Sequence, residues 1–188
     1  MTQDNPKDHA GILKQINIPT VDISNQTEKH VIIAQGTETN WHGHPSTVLM
    51  PDGKTIFCAW QARQDGTRKH GASFGNMKRS DDGGLTWSEN LDVPANWREI
   101  GRGSPLLHRL TDSEGKARLF VFCRDENRAT FLQAVSEDDG KSWSDMHPIG
   151  LMDPDGEAIK GWTVPITILE ARNPDGKMKH LMWYERSR

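Results

Sequence analysis

Hydrophobic residues occur along the chain in short runs rich in Val, Ile, Phe, Trp and Thr, separated by clusters of Gly, Asp, Asn and Pro. The runs read HVIIA, STVLM, TIFCAW, ARLFVFC, TFLQAV, VPITILEA and KHLMWYE. Runs of this kind are typical of β-strands, and polar clusters between them are typical of antiparallel turns. No stretch has the period and length of an amphipathic helix. The pattern therefore predicts an all-β fold of meandering antiparallel strands.

The strands also repeat along the chain. Pro45, Pro105 and Pro165 follow one another at equal intervals, and after each come an apolar strand, a glycine-containing turn and a second strand with aromatics. The turns contain Asp52-Gly53, Glu114-Gly115 and Asp175-Gly176. Proline fits the first residue of a strand because it cannot donate to the ladder, and glycine supplies the positive φ of a tight hairpin. The repeat predicts three structural units of the same kind.

A second motif, S-x-D-x-G-x-[S/T]-W, occurs twice, in RSDDGGLTWSEN at 79–90 and in VSEDDGKSWSD at 135–145. Its residues are Ser80, Asp82, Gly84, Thr86 and Trp87 in the first copy and Ser136, Asp138, Gly140, Ser142 and Trp143 in the second. We expect the Asp carboxylate to accept backbone N–H bonds within its own turn, the Gly to be left-handed, and the Trp to fold back against the sheet. These features predict a structural turn between a third and a fourth strand.

This motif resembles the Asp-box, or BNR repeat, of the sialidase superfamily. The resemblance covers roughly residues 30–188 and implies a six-bladed β-propeller, with blades near 44–90, 104–146 and 161–188 and a polar extension at 1–29. It also implies a ligand site near the central axis, on the face away from the Asp-boxes. Because propellers close on themselves to protect strand edges, we expect this chain to be the N-terminal part of a longer propeller, or to associate with a second copy.

The residues that the resemblance implies for sialidase chemistry are missing. Gly43 stands where the family has the Arg of its Arg-Ile-Pro sequence, and Ala72 stands near the position of the acid/base Asp. Tyr184 is the only Tyr, and it comes too early in the chain to match the family's nucleophile. An orthodox sialidase is therefore disfavoured.

The segment WHGHPS offers replacement chemistry at the entrance to the first strand. His42 and His44 are two residues apart and so lie on one side of an extended chain, next to Trp41. The two histidines are candidate sugar-binding or general acid/base groups, and Trp41 is a candidate substrate-binding residue. The alternative is that they are polar rim residues bonded to neighbouring loops. No third ligand accompanies them, so no metal is predicted, and no cofactor is expected.

Further candidates lie in the loops that leave the second strands and at the entrances of the later first strands. His70 and Asp125 are candidates for proton transfer, and Arg63, Arg102 and Arg124 are candidates for binding a substrate carboxylate. Trp162 is suited to stacking on a sugar or to packing between blades. The same loops contain Asp65, Glu126 and Arg128. Loops this rich in charge are more often solvated surface.

Charge and termini exclude some classes of partner. The chain has 26 acidic and 23 basic residues, interspersed, for a net charge of -3, so neither nucleic acid nor an anionic membrane is a predicted partner. The N-terminus has no apolar signal region, which predicts a cytoplasmic protein, or a secreted or periplasmic one if the N-terminus is incomplete. Cys58 and Cys123 lie in apolar runs, and we expect buried thiols rather than a disulfide.

Three functions fit these features. The first is a glycoside hydrolase-like protein that acts on acidic or complex glycans, using Arg to hold the sugar and His or a carboxylate for proton transfer. The second is a non-catalytic propeller that binds glycan or protein, with the Asp-boxes as scaffold only. The third is a polysaccharide lyase-like propeller.

Overall fold

The computed structural model describes residues 22–63, 73–125, 130–150, 152, 155–157 and 162–187. The chain divides between Val31 and Ile32 into two units. In the described part of the first unit, a single 3-10 turn covers Thr27–Lys29, and the His30 ring lies 3.2 Å from the Ile23 carbonyl oxygen. The strands all belong to the second unit.

Strands of the second unit form three consecutive antiparallel sheets within the described ranges. The first sheet contains β1 (Trp41–Leu49), β2 (Ile56–Arg63) and β3 (Ser73–Ser80). The second contains β4 (Gly101–Thr111), β5 (Ala117–Asp125), β6 (Phe131–Ser136) and β7 (His147–Ile149). The third contains β8 (Trp162–Arg172) and β9 (Met178–Ser187), and a four-residue helix, α1 (Trp97–Ile100), precedes the second sheet. Because strands adjacent in sequence are adjacent in each sheet, the predicted all-β meander is confirmed.

The predicted hairpin turns are also confirmed. Gly53, Gly115 and Gly176 have φ values of 74°, 85° and 82°, which lie in the region that glycine adopts without steric cost. In the first turn, the Asp52 carboxylate accepts the Lys54 and Thr55 N–H groups at 3.0 and 2.8 Å. Each turn sets the register of the two strands that it joins.

The prolines are placed differently from the prediction. None begins its strand; each lies where the register of the first strand pair shifts, between Gly43 and Ser46, between Arg102 and Leu106, and between Pro165 and Thr167. A β-bulge leaves its extra residues outside the ladder, so the missing N–H of Pro45 and of Pro105, which have no partner, removes no strand-to-strand hydrogen bond. Pro165 pairs with Tyr184 directly before the third shift. The repeated proline therefore marks a repeated bulge.

Two further expectations were wrong in detail. The run HVIIA at 30–34 forms no strand; Ile33 and Ala34 instead pack irregularly against the buried side chains of Cys58 and Trp60. After the first Asp-box, the chain follows β3 through a backbone bond from Leu91 but forms no fourth strand there. Apolar composition alone does not separate a strand from irregular chain that covers a sheet face.

The first strands of the three sheets lie side by side. The Leu107 N–H of β4 donates to the Ser46 hydroxyl of β1 at 2.9 Å, and the Ile168 N–H of β8 donates to His108 Nε2 of β4 at 3.2 Å. The starts of these strands therefore meet at one edge of the molecule, here called the entrance edge. The Asp-boxes follow the other ends of the strands, at what we call the Asp-box edge. Side-by-side first strands are the arrangement of blades around a common centre.

Trp97 fills the space between the first and second sheets. Its side chain is 1% exposed, and a Cβ added at Gly75 of β3 or at Gly101 of β4 would overlap the indole. Phe57 makes a second contact of this kind, because a Cβ at Gly140 would overlap its ring. The two sheets thus pack through aromatic side chains that fit against glycine backbone.

Both cysteines are buried thiols outside any disulfide, as predicted. Burial raises the pKa of the Cys58 thiol to about 11, so the thiol stays protonated and behaves as a small apolar side chain. In the described part of the chain no helix has the length and apolar character needed to cross a bilayer.

Candidate functional site

Each Asp-box aspartate is bonded within its own turn. The Asp82 carboxylate accepts the Thr86 hydroxyl at 2.6 Å, the Thr86 N–H at 2.9 Å and the Ser80 hydroxyl at 2.8 Å. These bonds, with the Thr86 hydroxyl first, lower the pKa of Asp82 to about 2. Gly84 has a φ of 93° and follows within the same turn. Both oxygens of the carboxylate are occupied, which favours a structural role.

The second Asp-box repeats this geometry. Asp138 accepts the Ser142 hydroxyl at 2.6 Å, the Ser142 N–H at 2.9 Å and the Ser136 hydroxyl at 2.8 Å. The same causes, led by the Ser142 hydroxyl, lower the pKa of Asp138 to about 2. Gly140 has a φ of 84°. These bonds favour a structural role for Asp138 as well.

A cleft of about 210 Å³ opens at the entrance edge of the first sheet. We call it the entrance cleft. Its walls are formed by Asn40, His42, Ala62, Arg63, Phe74, Asn76, Asn90 and Arg98. Among these lining residues there are two cations and three amides but no carboxylate, so the entrance cleft is rich in hydrogen-bond donors.

A hydrogen bond from Trp60 selects the tautomer of the neutral His42 ring. The Trp60 indole N–H donates to His42 Nδ1 at 2.9 Å. An indole can only donate, so Nδ1 of the neutral imidazole must be the acceptor, and its proton lies on Nε2. His42 therefore presents a donor to the cleft. It cannot serve as a general base through Nδ1 while this bond is in place.

Trp41, Arg63 and His44 form a row beside the cleft. The Arg63 guanidinium carbon lies 5.4 Å from the centre of the Trp41 ring, within the range of a cation–π contact. His44 meets Trp41 edge to face at 5.7 Å, is exposed, and has a φ of 53°. Trp41 also covers Gly43, where a Cβ would overlap the indole. An arginine at position 43 would clash with this arrangement, and Arg63 places a guanidinium beside the same tryptophan.

The far wall of the cleft contains residues that the sequence did not single out. The Arg98 guanidinium carbon lies 4.3 Å from the centre of the Phe74 ring. The Asn76 Nδ2 atom is shielded from solvent and has no hydrogen-bond partner among the described residues. Phe74 and Asn76 are two residues apart on β3 and so lie on one face, a pattern visible in ASFGNMKR. Arg98 comes from α1, which no sequence pattern predicted.

The remaining candidates are only partly brought together. Arg124 of β5 crosses Gly103, where an added Cβ would lie 3.6 Å from its guanidinium carbon, and Asp125 ends the same strand at the entrance edge. Arg102 and Trp162 start β4 and β8 at that edge, but their side chains lie outside the described structure. The described ranges leave out four further candidates entirely, namely His70, Asp65, Glu126 and Arg128.

Tyr184 has a packing role in the third sheet. It pairs with Pro165 across β8 and β9 and meets the Phe131 ring edge to face at 5.7 Å. Over the described residues, no group of three His, Cys, Asp or Glu side chains is arranged to hold a metal ion.

Comparisons with known proteins give structural similarity only. Neither a family model nor a curated protein matches the sequence. One similar solved structure is the "Hadza microbial sialidase Hz136", with a TM-score of 0.48 and 15% identity over 77% of this chain and 35% of that one. Another is an alpha-L-arabinanase from Penicillium chrysogenum complexed with arabinobiose, with a TM-score of 0.45 and 19% identity over 76% of this chain and 45% of that one. The chain thus spans less than half the length of either.

Proposed function

We propose that the chain is part of a sialidase-like, carbohydrate-active β-propeller, glycoside hydrolase-like in function, that acts on acidic or complex glycans. The observation that supports this proposal is the composition of the entrance cleft, in which Arg63 and Arg98 line a space of about 210 Å³ that no described carboxylate lines. Guanidinium groups bind carboxylates through paired hydrogen bonds, and amides suit sugar hydroxyls.

Six residues in the entrance cleft or elsewhere at the entrance edge have proposed roles. Arg63 and Arg98 bind the carboxylate of an acidic sugar. The Nε2–H group of His42 donates a hydrogen bond to a sugar hydroxyl. Trp41 holds Arg63 in place and offers an aromatic edge to the sugar ring. His44, exposed at the mouth, and Asp125, at the end of β5, are the proposed proton-transfer groups.

A non-catalytic glycan-binding propeller is the second candidate. It is favoured by the absence of a carboxylate from the described lining of the entrance cleft and by the use of His42 Nδ1 as the acceptor from Trp60. Both features suit binding better than proton transfer.

Binding is tested by NMR titration of the ¹⁵N-labelled full chain with glucuronate and with glucose, followed at the amide signals of Phe74 and Asn76 in the entrance cleft. We expect glucuronate to bind more tightly, and Arg63→Gln to weaken it about tenfold or more through loss of a charge-assisted hydrogen bond. Lys179→Gln, on the exposed part of β9, is the matched charge control and leaves the affinity unchanged. Equal affinity for the two sugars would contradict the proposal.

Catalysis is tested separately with chromogenic glycosides of acidic and neutral sugars. If the wild type turns over an acidic glycoside and His44→Ala abolishes this turnover but retains glucuronate affinity, the hydrolase-like function is supported. Binding without turnover of any glycoside favours the second candidate.

A further inference from the structure

A second cleft lies at the opposite edge of the molecule, between the first and second sheets. It has a volume of about 290 Å³, and its walls include Asp52, Phe57, Arg79, Arg109 and Asp139. We call it the intersheet cleft. A space of this size is near the lower limit for small-molecule sites, and its polar residues come from two different sheets.

Arg109 has unused hydrogen-bonding capacity in this cleft. It lies half-buried on β4, and its Nε atom is shielded from solvent and has no hydrogen-bond partner among the described residues. Nor does any described carboxylate pair with this guanidinium. A buried donor without an acceptor costs free energy, and a charged one costs more. An anionic ligand against the half-buried guanidinium would offset part of that cost.

Arg79 contributes a second, already positioned cation. Its guanidinium bonds the Asp81 carboxylate at 2.7 Å and lies 5.6 Å from the centre of the Phe57 ring. The Asp52 carboxylate also lines the cleft and accepts bonds from Lys54 and Thr55 in its own turn. Arg109 is therefore the lining cation that no described carboxylate pairs.

Asp139 supplies an acceptor at a backbone position where glycine would fit more easily. It has a φ of 56°, and the equivalent residue of the first Asp-box is Gly83, with a φ of 77°. A left-handed backbone is less favourable for Asp than for Gly. The Asp139 carboxylate has no hydrogen bond or ion pair to the rest of the described chain, although it lines the cleft. The side chain is therefore available to a ligand.

We propose that the intersheet cleft binds a small hydroxylated monocarboxylate, of the size and chemistry of a sugar acid. The ligand carboxylate bonds Arg109 and the outer face of Arg79, and the hydroxyls donate to Asp139. A neutral sugar leaves Arg109 without its acceptor. A dianion without donors, such as sulfate, is repelled by Asp139. This site lies at the other end of the strands from the entrance cleft and does not depend on its function.

The test is an NMR titration of the ¹⁵N-labelled full chain with glucuronate, glucose and inorganic sulfate. We expect glucuronate to shift the amide signals of Asp139 and Gly140 with higher affinity than the other two compounds. Arg109→Met keeps the aliphatic stem and should weaken this binding about tenfold or more. Lys179→Gln and Arg63→Gln should leave it unchanged, which separates this site from the entrance cleft.

Asp139→Asn and Asp139→Gly test the acceptor and tolerate the left-handed backbone. We expect both to reduce the preference for glucuronate over sulfate. Unshifted Asp139 and Gly140 signals, sulfate binding as tight as glucuronate, or unchanged affinity in Arg109→Met would each overturn the proposal. If Arg109→Met does not fold, an unchanged preference in Asp139→Asn overturns it alone.

Discussion

Asp82 and Asp138 connect the stability of the Asp-boxes to pH. Both have a pKa of about 2, below the value of about 3.9 for Asp in an unfolded chain. A group with a lowered folded pKa stabilises the fold above its unfolded pKa, and this contribution is lost as the pH falls through the folded value. Urea unfolding should therefore show a loss of stability between about pH 4 and pH 2.

Asp82→Asn with Asp138→Asn removes the two Asp-box carboxylates and leaves Asp52, whose pKa is also lowered to about 2. The double variant should be less stable at neutral pH, and its urea midpoint should change less between pH 4 and pH 2 than that of the wild type. Parallel pH profiles for the two proteins would show that these carboxylates do not carry the effect.

The two Asp-box tryptophans differ at one hydrogen bond. Trp87 Nε1 donates to the Gly84 carbonyl oxygen at 3.1 Å, whereas Trp143 Nε1 is buried and has no partner among the described residues. Replacement by Phe removes a satisfied donor from the first box and an unsatisfied one from the second. We expect Trp87→Phe to lower the free energy of unfolding by about 1 kcal/mol more than Trp143→Phe. Equal losses in chemical denaturation would contradict the assignment.

At the scale of elements, Trp97 joins the first two sheets, and two glycines make room for it. Ala at Gly101 would place a methyl group inside the volume of the indole. We expect Gly101→Ala to lower the free energy of unfolding by about 1–3 kcal/mol through overpacking. Gly150→Ala is the control, because a Cβ there meets no atom within 4 Å. Similar melting temperatures for the two variants would rule out tight packing at Trp97.

His108 joins the second sheet to the third and makes that contact sensitive to pH. Its Nε2 accepts the Ile168 N–H, which only the neutral ring can do, and burial lowers the pKa of His108. A lowered folded pKa means that the contact stabilises the fold above the unfolded value of about 6.5 and is lost as the pH falls. In His108→Gln, whose amide oxygen can accept the same bond, the melting temperature should fall less between pH 7 and pH 5. An unchanged pH dependence would argue against this contact.

At the scale of the whole molecule, local features were predicted from sequence and contacts between sheets were not. The hairpin turns at Gly53 and Gly115 follow from residues within a few positions of one another, and the structure has them where predicted. The bulges at Pro45 and its equivalents, the position of Trp97 and the approach of Arg98 to Phe74 depend on packing between distant segments. Such packing leaves no periodic trace in the sequence.

The candidate site shows the same division. WHGHPS and Arg63 were selected from sequence, and the structure places His42 and Arg63 in one cleft. The bond between Trp60 and His42, which makes this histidine a donor, could not be read from positions 18 residues apart. Pairing across β1 and β2 brings these side chains together, and register is set by the turn and the bulge rather than by either residue.

The central structural claim is that the first strands of all three sheets lie side by side, so that their starts share one edge. The most direct test is a set of nuclear Overhauser effects in the full chain, from the Leu107 amide proton to the Ser46 side chain and from the Ile168 amide proton to the His108 ring. The structure predicts both, since the bonded atoms are 2.9 and 3.2 Å apart. If strand pairing within each sheet is observed but both of these Overhauser effects are absent, the first strands do not lie side by side. That result would also contradict the shared entrance edge.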